Sequence, residues 1–458
     1  MTQDPRIPAD FEIGVATSAW QIEGDVDGRG RSIWDDFAQQ PGAIRDGSTG
    51  EPACDHVHRL EEDLDLISWI GPDAYRFSIS WPRVQPEGRG ALSARGLDFY
   101  DRLIDGLLAR GIRPSATLYH WDLPSALPGA WLNRDTALAF ADYAEKVAAR
   151  FSDRVARWAT LNEPWVSAFL GYSAGVHAPG HRDAGSALLA AHHLLLAHGM
   201  AVPRMRGVGA RNVGIVLNLQ PVVADAPQVE AAADYVDALH NRLFLNLLAG
   251  RGWSELRQLC APLSDFAFDH PGDEDVIAAP IDWLGENYYT PVRIGPKGPN
   301  SAFAVGQNFD AYPGTPPAAF APREPVTAMG WEVYPQGLID IARKAASLLP
   351  DVPIWIAENG AAFDDEVVRR EDGTLSVPDS PRVEYLRSHL TAVLEARSQG
   401  VDIRGYYAWS LLDNIEWAEG WTKRFGIVRV SPDDQTRIPK NSAHWLRSVL
   451  ARRRDQSI

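Results

Sequence analysis

Eight short apolar stretches alternate with longer amphipathic ones along the chain. This order predicts an α/β fold, a single (β/α)8 or TIM barrel over residues 1–458, with elaborated loops at the C-terminal strand ends. Two further observations favour the barrel. No repeat of short fixed period is present. Nothing like a glycine-rich phosphate turn follows the first strand, which weakens the alternative of a doubly wound open sheet.

The strands are predicted at Phe11–Thr17, Ala74–Ser80, Arg113–His120, Arg157–Glu163, Val213–Leu219, Ile281–Tyr289, Ile354–Ala357 and Ile403–Trp409. Between Ser93 and Arg110, Leu97, Tyr100, Leu103, Ile104, Leu107 and Leu108 recur at helical spacing, and Gly111 stops the run. Ala137–Phe151 places Phe140, Tyr143, Val147 and Phe151 on one face. Further helices are predicted at Leu188–Met205, from Val229 through Leu247, at Pro335–Leu348 with proline at its start, at Pro381–Ala396, and around Trp445, Leu446 and Leu450. Pro291–Gly330 is rich in Pro, Gly and Ala with little periodicity. It reads as a long, structureless loop over the barrel mouth.

Composition is that of a globular protein, 45% apolar and 23% charged, with room for a large core. With 44 Lys and Arg against 60 Asp and Glu, the net charge of −16 gives no footprint for nucleic acid or an anionic membrane. Two cysteines, Cys54 and Cys260, argue against a disulfide scaffold and leave one bridge open. The first residues precede no apolar core of signal-peptide length, and no run approaches the ~18 apolar residues of a membrane span. A soluble, cytoplasmic chain is therefore expected. No cofactor and no metal is expected.

Polar residues gather where such a barrel carries chemistry, at the carboxyl ends of its strands: Gln21, His120, Glu163, Tyr289, Glu358 and Trp409. Two ends stand out. Thr160-Leu161-Asn162-Glu163-Pro164-Trp165 ends an apolar run in an amide, a carboxylate and a proline, which stops the strand. Ile354-Trp355-Ile356-Ala357-Glu358-Asn359-Gly360 has the same form. A single carboxylate at a strand end is ordinarily solvated or caps a helix. A pair brought together by the fold is what glycoside hydrolysis needs, one group to donate a proton and one to attack or act as base. The 16 tryptophans offer faces on which sugar rings stack, although core packing accounts for several.

At these motifs the chain resembles glycoside hydrolase family 1, the retaining β-glucosidase family. The likeness extends in order through FEIGVATSAWQIEG (11–24), Ala74–Pro82, LYHWDLP (118–124), the Asn-Glu-Pro and Glu-Asn-Gly ends, and Gly420–Arg429. It implies a retaining exo-β-glycosidase, chiefly a β-glucosidase, with β-galactosidase or β-fucosidase activity alongside. The implied substrate is a small β-glycoside or cello-oligosaccharide. Glu163 would be the acid/base and Glu358 the nucleophile, with carboxyl groups about 5–5.5 Å apart. Gln21, His120, Asn162, Glu416 and Trp417 would hold the terminal sugar, with Trp409 as its platform. Tyr289 and Arg76 would lie against the nucleophile, supported by Asn287. Trp165, His177 and Trp331 would face the aglycone.

Three departures from the family pattern are visible: Ala357 where a larger residue is usual, Glu286 where an aliphatic one is usual, and Leu127–Trp131 without paired glycines. Glu286 is expected to face outward on its strand. Two other functions compete. A phospho-β-glycosidase would need a serine and cations, yet Glu416 precedes Trp417 and Lys423 alone does not decide the matter. A non-catalytic glycan-binding relative would have lost one carboxylate, and both are present.

Overall fold

The computed structural model describes residues 4–297 and 307–455. Eight parallel strands form a closed barrel: β1 (Glu12–Ala16), β2 (Ala74–Ser78), β3 (Arg113–Tyr119), β4 (Arg157–Asn162), β5 (Val213–Asn218), β6 (Trp283–Asn287), β7 (Ile354–Asn359) and β8 (Ile403–Trp409). Neighbours in sequence are neighbours in space, and β1 closes on β8 with Ala16 opposite Trp409. Both faces of each strand are covered, so apolar runs replace the alternation of a half-exposed sheet.

The outer layer opens with a helix that was not predicted, α1 (Leu60–Ile70), and then follows the predicted ones: α2 (Ala94–Ala109), α3 (Asp135–Phe151) and α4 (Ala184–Gly207), then α5, which starts as Glu230–Asp237, passes through a π-helical segment (Ala238–Arg242) and ends as Leu243–Leu248. α6 (Pro335–Leu348), α7 (Ser380–Ser398) and α8 (Asn441–Asp455) complete the layer. Ser93 Oγ accepts the Gly96 N–H and caps α2, and Asp183 caps α4 in the same way through Ser186. The buried face of α2 is Phe99, Tyr100, Leu103, Ile104 and Leu107. Leu108, expected on that face, is exposed.

α4 corrects a second expectation. It is long and apolar enough to pass a membrane-span test by composition, but 78% of its most apolar window is buried within the fold. It packs on α3 and on the β4 side of the barrel. Cys54 and Cys260 are buried and unpaired.

Inside the barrel, small residues make room for large ones. Ala16, Ala74, Ala159 and Ala357 sit among Trp283, Trp355 and Tyr407. Gly405 is required there, because a Cβ would fall 2.4 Å from the Trp355 ring. At the amino ends of the strands Glu12 closes the floor. Its carboxylate accepts bonds from Arg157 Nη1 (2.6 Å), Arg113 Nη2 (2.8 Å), Tyr407 OH (2.6 Å) and Trp355 Nε1 (3.1 Å), and the Arg157 guanidinium lies 3.9 Å from the Trp355 ring centroid.

The mouth is less regular. The β4–β5 register shifts between Ala159 and Asn162, and the β7 registers shift on both sides beyond Ile356. The predicted structureless loop is partly ordered. Val292–Gly295 pairs in parallel with Val222–Ala224 and antiparallel with Ala319–Phe320. Residues 298–306 of that loop lie outside the described residues.

Candidate active site

A cavity of about 570 Å³ opens at the carboxyl ends of the strands, within the range of small-molecule sites. Glu163 and Glu358 both line it. Glu163 is the first residue past β4. Its φ of +48° is sterically costly for a residue with a Cβ and re-aims the side chain after the strand. Glu358 lies near the end of β7, where the register shift sets it opposite Asn287.

One hydrogen-bonded chain connects the two carboxyl groups. Asn287 Nδ2 donates to Glu163 Oε1 (2.6 Å) and to Asn162 Oδ1 (3.1 Å). Arg76 Nη2 donates to the same Asn162 oxygen (2.6 Å), and Arg76 Nη1 to Glu358 Oε1 (2.6 Å). Tyr289 OH donates to Glu358 Oε2 (2.6 Å). Ala357 contributes its carbonyl to Arg76 (3.3 Å), while its side chain is part of the barrel interior. The small side chain therefore leaves the ligands of Glu358 untouched.

Burial raises both glutamates above the ordinary carboxylate range. Glu163 is raised well above it, first by burial and then by the charge of Glu358. Glu358 is raised by burial too, but the Arg76 guanidinium and the Tyr289 hydroxyl pull it back. Glu358 therefore ionises first and Glu163 keeps its proton longer, the order an attacking carboxylate and a proton donor require. Glu416 is pushed up to about 8 by burial and then by Glu358 and Glu419. His120 is held well below its usual value by burial and the Arg76 charge, so it is neutral. Its Nε2 lies 3.1 Å from the Asn162 amide nitrogen.

Other predicted residues also reach the cavity. Tyr289, Trp165, His177, Trp331, Trp409, Glu416, Trp417 and His120 all line it. His120 stacks between Trp409 and Trp417, with centroids 5.8 and 5.9 Å away. Gln21 lies just past β1 and donates to Asn414 Oδ1 and Ile415 O (2.8 Å each), beside Glu416. Gln21, Asn162, Arg76 and Asn287 brace the cavity from behind through these bonds.

The sequence reading missed Trp121, Asn218, Gln220, His240, Gln307 and Tyr312, all of which line the cavity. Asn218 ends β5, and the strand-end rule applied there would have found it. His240 carries no such signal, since it reaches the cavity from the π-helical part of α5. Gln307 and Tyr312 come from the loop that was expected over the mouth. Glu286 corrects a further expectation. It points away from the barrel axis but not to solvent. It is fully buried, and neither carboxyl oxygen has a hydrogen-bond partner among the described residues.

The model of the glycosyl hydrolase family 1 matches residues 3–455. Thermostable beta-glucosidase B of Thermobispora bispora is 45% identical over 453 residues, 98% of this chain and 91% of that one. A bifunctional beta-D-glucosidase/beta-D-fucosidase of Bifidobacterium breve is 43% identical over 97% of this chain and 98% of its own. Beta-glucosidase from Thermotoga maritima in complex with noeuromycin superposes with a TM-score of 0.88 at 42% identity, covering 98% of this chain and 99% of that structure. With its fold and nearly its full length shared, the chain belongs to glycosyl hydrolase family 1.

Proposed function

We propose that this chain hydrolyses terminal β-D-glucosyl residues with retention, and acts on β-fucosides and β-galactosides as well. The observation that carries this is the pair of buried strand-end carboxyl groups held apart in protonation by Arg76 and Tyr289 on one side and burial on the other. Glu163 protonates the glycosidic oxygen as its bond to the anomeric carbon breaks. Glu358, lying near the end of β7, attacks that carbon and forms a glycosyl ester. Glu163, now ionised, takes a proton from water, which displaces Glu358 and releases the β-anomer. The geometry expected is the retaining separation of about 5–5.5 Å.

The terminal sugar is held by His120, Glu416 and Trp417, with Gln21 and Asn162 close behind them and Trp409 beneath it. Trp165, His177 and Trp331 line the aglycone side, and Asn218, Gln220 and Gln307 add polar groups there. These suit a second sugar, so a cello-oligosaccharide is the natural substrate class. A 6-phosphate is disfavoured: Glu416 sets a carboxyl group where a cation would be needed, and Lys423 Nζ donates to the Ala328 carbonyl (2.6 Å). Two unpaired thiols support a reducing, cytoplasmic setting. The test is a panel of nitrophenyl β-glycosides followed by proton NMR. The β-anomer should appear first, with glucoside and fucoside preferred to the 6-phosphate. An α-anomer as first product would overturn the mechanism.

A further inference from the structure

Among the described residues, the Glu163 carboxyl makes one hydrogen bond, accepted from Asn287. Its aim is therefore set mainly by its backbone, which lies in the left-handed region. The peptide joining Asn162 to Glu163 is tied at both ends. Its N–H donates to the Val216 carbonyl on β5 (2.8 Å). Its carbonyl accepts from the Trp121 indole Nε1–H (2.9 Å). Trp121 is itself left-handed, at φ +77°, and follows β3 by two residues. Its ring is wedged against Trp417 (4.3 Å), His120 (5.2 Å) and His177 (5.6 Å). We infer that Trp121 is a positioning residue for the proton donor: its indole N–H fixes the peptide plane that points Glu163 at the departing oxygen. Glu358 has its own direct clamp in Arg76 and Tyr289, and the indole makes no bond to it.

This inference rests on Glu163 being the proton donor. Without the indole bond, only the Glu163 N–H bond to Val216 still holds the peptide, and its plane can tilt toward an ordinary negative φ and carry the carboxyl away from the leaving group. Only steps that need the proton then suffer. A role in packing or in gripping the sugar would slow all substrates alike.

The test compares kcat/KM on 2,4-dinitrophenyl β-glucoside, which leaves without protonation, with kcat/KM on cellobiose, which does not. Trp121→Phe keeps an aromatic ring and removes the N–H. A benzothienylalanine at 121, introduced by nonsense suppression, keeps the full shape with sulfur in place of N–H and covers the case in which the smaller ring fails to fold. For each variant, cellobiose should lose about 30- to 100-fold while the dinitrophenyl substrate stays within about 3-fold of the parent. The alkaline limb of kcat/KM should move to lower pH as Glu163 leaves its buried place beside Glu358. Equal losses on both substrates, or none on either, would overturn the inference. Glu163→Ala, run alongside, separates the two ideas. It should show the same selectivity more strongly, and if it shows none, the assignment of Glu163 as donor fails first.

Discussion

The floor and the mouth of this barrel each hold a buried ionic cluster, and the two are built on opposite rules. At the floor one carboxylate, Glu12, meets two guanidinium groups, a phenol and an indole. These partners outweigh the burial that opposes them and hold its carboxyl below the usual range. At the mouth Glu163 and Glu358 share one guanidinium, Arg76, and these two and Glu416 are all raised by burial. Polar atoms at the mouth also go without protein partners: Glu416 Oε2, Asn287 Oδ1, Trp165 Nε1 and His177 Nδ1. None of the Glu12 cluster is among the atoms left so. Buried polar atoms are rarely left unpaired in folded proteins. These four lie at or beside the cavity that a hydroxyl-covered substrate would fill, while others among the described residues, such as Trp253 Nε1 and His389 Nε2, lie away from it. The floor is satisfied and serves stability. The mouth is unsatisfied and keeps its bonds for substrate.

The largest effect that would break this contrast is at Glu358, the proposed nucleophile. Glu358→Gln should lower turnover by about 10⁴-fold or more, because an amide cannot form the glycosyl ester. Folding should survive, since Tyr289 and Arg76 still have an oxygen to bond. A 2-fluoro-glucoside should label Glu358 in the parent protein, and peptide mass spectrometry that found the label elsewhere would reassign the mouth altogether.

At the floor the opposite change should occur. Arg157→Met removes the strongest opponent of burial at Glu12 and costs about 3 kcal/mol, the usual loss when a buried ion pair is broken on one side. Turnover per folded molecule should hold. The pH dependence has a definite sign. A carboxyl whose folded pKa is depressed contributes stability above its unfolded value, and that contribution is lost as pH falls through the folded value. In the parent this component disappears below the ordinary glutamate value near 4.5, and in Arg157→Met it should be largely absent. Denaturant unfolding at pH 7 and pH 4 measures both. A large drop in kcat at unchanged stability would mean that floor and mouth are not separable.

The contrast also explains what could be read in advance. Strand order, helix faces and the identities of Glu163 and Glu358 follow from local pattern: apolar runs, helical spacing, and a carboxylate beside Pro164 or Gly360. The left-handed backbone of Glu163 and Trp121 and the register shifts beyond Ala159 and Ile356 do not, because they arise from pairing with β5, β6 and β8. His240 was hidden for a similar reason. Its approach to the cavity depends on the π-helical segment of α5, which periodicity does not reveal. The apolar character of α4 was also misjudged, since buried helices and membrane spans share composition.

Glu286 offers the smallest and cleanest test, because it is unsatisfied like the mouth but faces no cavity. It lies between Leu217 and Ile356 on the outer side of β6, fully buried, and burial alone raises its carboxyl well above the usual range. It therefore sits in the fold as a neutral acid without partners, which costs about 1–3 kcal/mol in protein contexts. Glu286→Leu matches the apolar side chains around it and should stabilise the protein by about that amount at pH 7 while leaving kcat and KM unchanged. Again the sign follows from linkage. The unfolded chain releases this proton above about 4.5 and the folded chain keeps it, so the parent loses stability as pH rises beyond that value. The advantage of the leucine variant should accordingly be small at pH 4 and grow toward pH 8. If the variant were instead less stable at every pH, Glu286 would have a satisfied role in the helical layer. Lack of a protein hydrogen bond would then not by itself mark a buried carboxyl as unsatisfied, at the mouth or elsewhere.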